Sequence, residues 1–162
     1  MIKIFNKYGT DKSNGHNYHI IYNDVFNKLG KNKAMNLLEI GMGTNNPSLV
    51  SSMGENGKPG ASLKSFKEYL PNSNIYGADI DRDILFNESR IQTTYIDQLN
   101  EDTFIKMNND FNNIKFDVII DDGLHSLCAN LNTLLFSLEN IKTGGWIIIE
   151  DIDRTKIENW NL

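Results

Sequence analysis

Polar groups stand at the ends of five apolar runs in this sequence, and their types suit the binding of a nucleoside. Gly41 and Gly43 follow Leu37-Leu38-Glu39-Ile40, Asp79 and Asp81 follow Ile75-Tyr76-Gly77-Ala78, and Asp97 and Gln98 follow Ile91 to Ile96. Asp121, Asp122 and His125 follow Val118-Ile119-Ile120, while Glu150, Asp151 and Asp153 follow Ile147-Ile148-Ile149. Two glycines one residue apart let the backbone bend sharply and approach a ligand closely, because neither carries a Cβ. An acid at the end of a second strand can accept hydrogen bonds from both ribose hydroxyls, which makes Asp79 the nucleoside anchor. Asp81 lies further into the loop and is the weaker candidate. One strand-end acid is an ordinary solvated cap; the whole set is not explained that way.

The glycine pattern also narrows the cofactor. A dinucleotide fingerprint needs a third glycine three residues after the second, and Asn46 occupies that position. The helix start could not then pack closely around a pyrophosphate. A nicotinamide-dependent oxidoreductase is therefore the disfavoured alternative, and a cofactor without phosphate fits better.

The elements that must carry these groups alternate between strand and helix. Tyr18, Ile21, Tyr22, Val25 and Leu29 recur at helical spacing and predict a helix over 18–29 that Gly30 ends. Met35 to Ile40 reads as the first strand, and a long Gly- and Pro-containing loop leads to a helix capped by Ser62 and ended by Pro71. Further strands are expected at 73–81, 91–96, 116–123 and 146–151. Between them lie a short helix over 84–88, a helix over 101–109 with Phe104, Ile105 and Met107 as its apolar members, and one over 126–142. On that last helix Leu127, Leu131, Leu134, Leu135, Leu138 and Ile141 are expected to face the sheet, with Cys128 as a small packing residue. Such alternation implies parallel strands joined by right-handed crossovers. Ligands of an open parallel sheet bind outside the carboxyl ends of its strands, where strand order reverses. The five polar strand ends all fall there.

The totals are consistent with this reading. A chain of 162 residues with 40% hydrophobic content suits one domain with a real core. The net charge of −5 argues against a nucleic-acid partner, whose phosphates need a basic face. No apolar run approaches the roughly 18 residues of a membrane span, and the first residues lack a signal peptide's apolar stretch. Cys128 is the one cysteine, which rules out an internal disulfide, and a cytoplasmic location is expected.

Glu39-Ile40-Gly41-Met42-Gly43 followed by Tyr76-Gly77-Ala78-Asp79 resembles motifs I and II of class I S-adenosylmethionine-dependent methyltransferases. More narrowly, Tyr8-Gly9-Thr10-Asp11-Lys12, Asp121-Asp122-Gly123-Leu124-His125 and Ile149-Glu150-Asp151 are similar to the macrocin and mycinamicin type of sugar O-methyltransferase. The resemblance covers nearly the whole chain. It implies that Gly41, Gly43 and Thr44 hold the methionine part of the cofactor, Asp79 the ribose, and Asp97 with Gln98 the adenine. Asp121 joins the cofactor-binding set, and Thr10 to Lys12, with Tyr18, fold over the site near the cofactor's carboxylate. Taken alone, Thr10-Asp11-Lys12 reads as a surface turn. The resemblance further assigns Asp122, Glu150 and Asp151 to a magnesium ion, and His125, with Asp122, to catalysis. Neighbouring strand ends lie about 4.8 Å apart, so carboxylates on strands four and five can share one ion. Taken alone, His125 caps the helix that follows it.

The expected fold is thus a Rossmann-like, doubly wound α/β sheet with mainly parallel strands. Residues 1–34 form an N-terminal segment and helix over the cofactor site, and 35–162 form the cofactor-binding domain, one globular unit in all. Methyltransferases of this class usually add a C-terminal helix and antiparallel strand pair, which the sequence lacks after the fifth strand. An exposed fifth-strand edge would favour a homo-oligomer. The expected activity is metal-assisted O-methylation of a sugar or sugar-nucleotide hydroxyl, with S-adenosylmethionine as the methyl donor. A non-catalytic cofactor-binding module is the other alternative.

Overall fold

The computed structural model describes residues 1–152, so Asp153 and Trp160 lie outside the described residues. Among the described residues five strands form one parallel sheet in the order β3-β2-β1-β4-β5. They are β1 (Asn36–Ile40), β2 (Asn74–Asp79), β3 (Ile91–Tyr95), β4 (Phe116–Asp121) and β5 (Ile141–Ile149). Strand order reverses between β1 and β4, where a parallel sheet opens a crevice at its carboxyl edge. Among the described residues no helix is long and apolar enough to cross a membrane.

Successive side chains of a strand point to opposite faces, so the central strands feed two cores. Leu37, Val118 and Ile120 pack on one face with α1 (Ile2–Tyr8), α2 (Tyr18–Leu29) and α3 (Ala61–Tyr69). Leu38, Ile40 and Ile119 pack on the other with Phe104, Met107 and Phe136 from α4 (Glu101–Asp110) and α5 (Leu127–Asn140). The first face is aromatic: Phe5, Phe26 and Tyr22 surround Phe66 with ring centroids 5.2–5.9 Å away. Helix α1 was not expected from the sequence. It is held by Phe5, which is fully buried between Tyr22 and Phe66.

Other expectations are corrected. Ser62 does not cap α3; Gly60 stands at the cap, and Ser62 lies inside the helix, where its hydroxyl donates to Glu39. The short helix expected at 84–88 is instead a 3-10 turn over Arg82–Ile84. Ile21 and Ile105 face outward, leaving Tyr22, Val25 and Phe26 to carry α2, and Phe104 and Met107 to carry α4. Helix α5 presents Ala129, Asn130, Thr133, Phe136, Ser137 and Asn140 inward, while Leu135 and Leu138 are more than 60% exposed, at 63% and 62%. The chosen face is the one whose polar groups reach buried partners on the sheet: Asn130 donates to Asp121, and Thr133 accepts from Gln98. Cys128 is exposed rather than packed. The helix ends at Asn140, and Gly144 and Gly145 lie within β5, whose register against β4 shifts between Phe116 and Val118.

Candidate active site

The turn after β1 is set by a close approach. Gly41 has φ +89°, and a Cβ there would lie 2.1 Å from the backbone oxygen of Asp122. The ends of β1 and β4 meet at this point, with the Asp122 N–H donating to the Ile40 carbonyl at 2.8 Å. Gly43 also has positive φ, and a Cβ on it would run into the side chain of Met53. Asp79 fastens the turn from the side: one oxygen accepts the Met42 N–H at 2.7 Å, and the other accepts the Asp81 N–H at 2.9 Å. Burial raises the Asp79 pKa above its ordinary value, against these hydrogen bonds.

Two clefts open from this edge. One of about 550 Å³ is lined by Thr10, Lys12, Gly41, Gly43, Asp122, His125 and Asp151 among others. The second, of about 280 Å³, is lined by Asp97, Gln98 and the apolar side chains of Ile40, Leu49, Ile80, Ile96, Leu99 and Leu124. Gly41, Val50, Ser51, Asp79 and Gly123 border both, so the two form one elongated site hinged on the Gly41 turn and Asp79. Val50 and Ser51 belong to the long loop after Gly43, which supplies the outer wall.

Not every expected cofactor residue faces this site. Thr44 is buried and absent from both linings; its hydroxyl donates to Asp81 and accepts the Asn46 N–H at 3.0 Å. Asp121 is likewise withdrawn, accepting from the Gln98 and Asn130 side chains at 2.8 and 2.9 Å, and burial raises its pKa. Its contribution is to fix Gln98, whose other end accepts the Leu124 N–H at 2.8 Å. Asp97 accepts the Leu99 N–H at 2.9 Å at the rim of the second cleft. Tyr18 lines neither cleft; its hydroxyl donates to Asp151 at 2.5 Å.

Lys12 is no surface residue. Only 2% exposed, its ammonium lies 2.6 Å from Asp122, 2.8 Å from Glu150 and 3.4 Å from Glu39. Burial by itself would lower its pKa, yet the charges of Asp122, Glu39 and Glu150 hold it well above the ordinary value. Glu39, fully buried, is pushed up to about 7 by desolvation, with Lys12 opposing the shift. Among the described residues its Oε1 has no hydrogen-bond partner. The acid before the glycine turn was visible in the sequence; its partners Lys12 and Ser62 were not.

At the mouth, Asp122, His125 and Asp151 each offer a ligand atom, and these atoms lie within 4.8 Å of one another. His125 Nε2 is 3.8 Å from an oxygen of each carboxylate. Its Nδ1 is buried without a partner among the described residues. His125 is not the cap of α5; Ser126 is, accepting the Ala129 N–H. The two carboxylates at this separation fit a small divalent cation that keeps open positions for water or substrate, with the imidazole beside it. Glu150 does not join them. It turns inward to Lys12 and to the hydroxyl of Tyr22, a partner that sequence reasoning missed. Burial raises the Glu150 pKa, and Lys12 counteracts this.

No family model matches the chain. It is 29% identical over 145 residues to the L-olivosyl-oleandolide 3-O-methyltransferase of Streptomyces antibioticus, covering 90% of this chain and 35% of that protein. Over 94 residues it is 33% identical to the mycinamicin VI 2''-O-methyltransferase of Micromonospora griseorubida, covering 57% of this chain and 23% of that protein. Its structure superposes on the MycE methyltransferase of the mycinamycin biosynthetic pathway, in complex with Mg and SAH, with a TM-score of 0.78. That match has 26% identity and covers 98% of this chain and 41% of the other. A second structure of MycE, at a TM-score of 0.75, also contains mycinamycin VI. The chain thus spans roughly a third, 35% and 36%, of the length of two curated relatives that each match 90% of it. In sequence and in fold it resembles O-methyltransferases that include the mycinamicin enzyme.

Proposed function

We propose that this chain carries the cofactor and metal sites of an S-adenosylmethionine-dependent O-methyltransferase that acts on a sugar hydroxyl. The observation that carries this reading is the elongated double cleft at the β1–β4 switch point, which runs from an apolar slot into a cluster of Asp122, His125 and Asp151. The apolar slot takes the adenine between Ile96, Leu99 and Leu124, with Asp97 and Gln98 at its polar edge. Asp79 stands where the ribose lies. Gly41, Gly43, Thr10 and Lys12 line the wider cleft, which takes the methionine part. Of residues 1–34, Gly9 to Lys12 border that cleft as its cover, while α1 and α2 anchor them on the sheet face.

Methyl transfer is an in-line displacement: the acceptor oxygen attacks the methyl carbon, the carbon–sulfur bond breaks, and its electron pair stays on sulfur. The enzyme's main task is alignment. Asp122 and Asp151 would hold magnesium in this reading, and such an ion would supply Lewis-acid activation of the acceptor hydroxyl. The proton passes to Nε2 of His125, an imidazole suited to that transfer near neutral pH. Glu150 serves the site indirectly by seating Lys12. Among the described residues strand β5 forms the sheet edge, with Trp146 37% exposed, and copies of the chain associate along that edge in this reading.

The test is methyl transfer from S-adenosylmethionine to a panel of sugars and sugar nucleotides, with magnesium and with chelator. Transfer that depends on magnesium supports the reading. Full transfer in chelator removes the metal from it. Cofactor binding without transfer to any sugar, in the full-length protein, assigns a binding module instead.

A further inference from the structure

Two tyrosines one turn apart on α2 hold two consecutive acids at the end of β5. Tyr22 donates its hydroxyl to Glu150, and Tyr18 donates its own to Oδ1 of Asp151 at 2.5 Å. Tyr18 is bonded twice to the same residue, because its oxygen also accepts the Asp151 N–H at 2.9 Å. Asp151 needs such a clamp. Its φ is +52°, a left-handed conformation that side chains adopt at a cost, and His125 beside it has φ +54°. With Oδ1 engaged by Tyr18, Oδ2 faces His125 Nε2 at 3.8 Å and looks into the cluster with Asp122. Tyr18 is itself held, by the His16 ring stacked on it at 5.3 Å and 16°.

We propose that Tyr18 is a positioning residue of the metal site: it locks both the backbone and the carboxylate of Asp151 in the orientation that receives the cation. The proposal rests on the magnesium reading above, and it places Tyr18 with the metal rather than with the cofactor. The absence of Tyr18 from the lining of both clefts agrees with this. Carboxylates that ligate metals are themselves held by hydrogen bonds, and removing such a partner typically weakens metal binding about 10–100-fold.

The experiment compares the unaltered protein with Tyr18→Phe, which keeps the ring and its stacking but loses the hydroxyl. Mn2+ affinity is read by the loss of the free-ion electron paramagnetic resonance signal, and S-adenosylhomocysteine affinity by calorimetry. The expected result is Mn2+ binding weaker by about tenfold or more with cofactor-product affinity unchanged. Hydrogen exchange at the Asp151 amide gives a second readout, and is expected to quicken in the variant. Equal Mn2+ affinity in the two proteins would overturn the proposal, as would a selective loss of S-adenosylhomocysteine binding. If the unaltered protein binds no Mn2+, the magnesium reading itself fails, and this proposal with it.

Discussion

The ammonium of Lys12 lies 2.8 Å from a carboxylate oxygen of Glu150, with both side chains 2% exposed. These residues stand 138 positions apart, so the ion pair ties the N-terminal cover to the end of β5. The same ammonium reaches Asp122 and Glu39, and one buried cation therefore organises the acids around the cleft.

Replacing Lys12 with methionine keeps the apolar stem and removes the charge. Glu39 and Glu150 would then be left buried without their cation, a change that costs about 3–5 kcal/mol in comparable pairs. Urea denaturation is expected to show a loss of this size, together with weaker S-adenosylhomocysteine binding as the cover loosens. Unchanged stability would mean that the three carboxylates do not depend on Lys12.

Gly41→Ala tests the close approach at the switch point. A Cβ 2.1 Å from the Asp122 carbonyl oxygen, at φ +89°, cannot be absorbed by a flexible side chain. The strand ends must separate, at about 1–3 kcal/mol or more, and the wall shared by the two clefts moves with them. Cofactor-product binding is expected to vanish while circular dichroism keeps its α/β signature.

Stability should respond to pH through Glu39. Its carboxyl titrates at 4.5 when solvated and at about 7 in the folded chain. Between these values the folded form retains a proton that the unfolded form has released, so this group's contribution falls as pH rises from 4.5 to about 7. Glu39→Gln removes the titration. The stability difference, variant minus unaltered protein, is expected to grow in the variant's favour across that window, as read from urea midpoints.

Much of the fold was legible because strand ends announce themselves: the apolar runs ending at Ile40, Asp79, Tyr95 and Asp121 fall within a residue or two of their expected limits. Helix α5 misled because its leucine periodicity is strong, yet the sheet selected the side with Asn130, Thr133 and Phe136. Periodicity reports an apolar stripe; it does not say that buried polar partners such as Asp121 and Gln98 will claim the adjoining one. The site shows the same limit. Asp79, Gln98, Asp122 and His125 could be placed from their strand ends, whereas Lys12 is placed only by the family resemblance and, taken alone, reads as a turn residue until its partners 110 and 138 positions away are known. Thr44 and Asp121 sit beside the cleft residues in sequence, but local hydrogen bonds turn them from the cleft.

His125→Ala separates chemistry from binding. Loss of a general base typically lowers turnover by about 100-fold to 10,000-fold, and the imidazole lies outside the apolar slot proposed for the adenine. Turnover is expected to fall within that range with S-adenosylhomocysteine affinity preserved. Turnover at the unaltered level would remove His125 from proton transfer.

As proposed, the double cleft is above all a site for S-adenosylmethionine, and calorimetric titration with its product, S-adenosylhomocysteine, tests that most directly. Saturable binding to one site per chain is expected, weakened by Asp79→Ala and unmatched by a nicotinamide dinucleotide. No heat of binding at millimolar S-adenosylhomocysteine, or preferential binding of the dinucleotide, would contradict it.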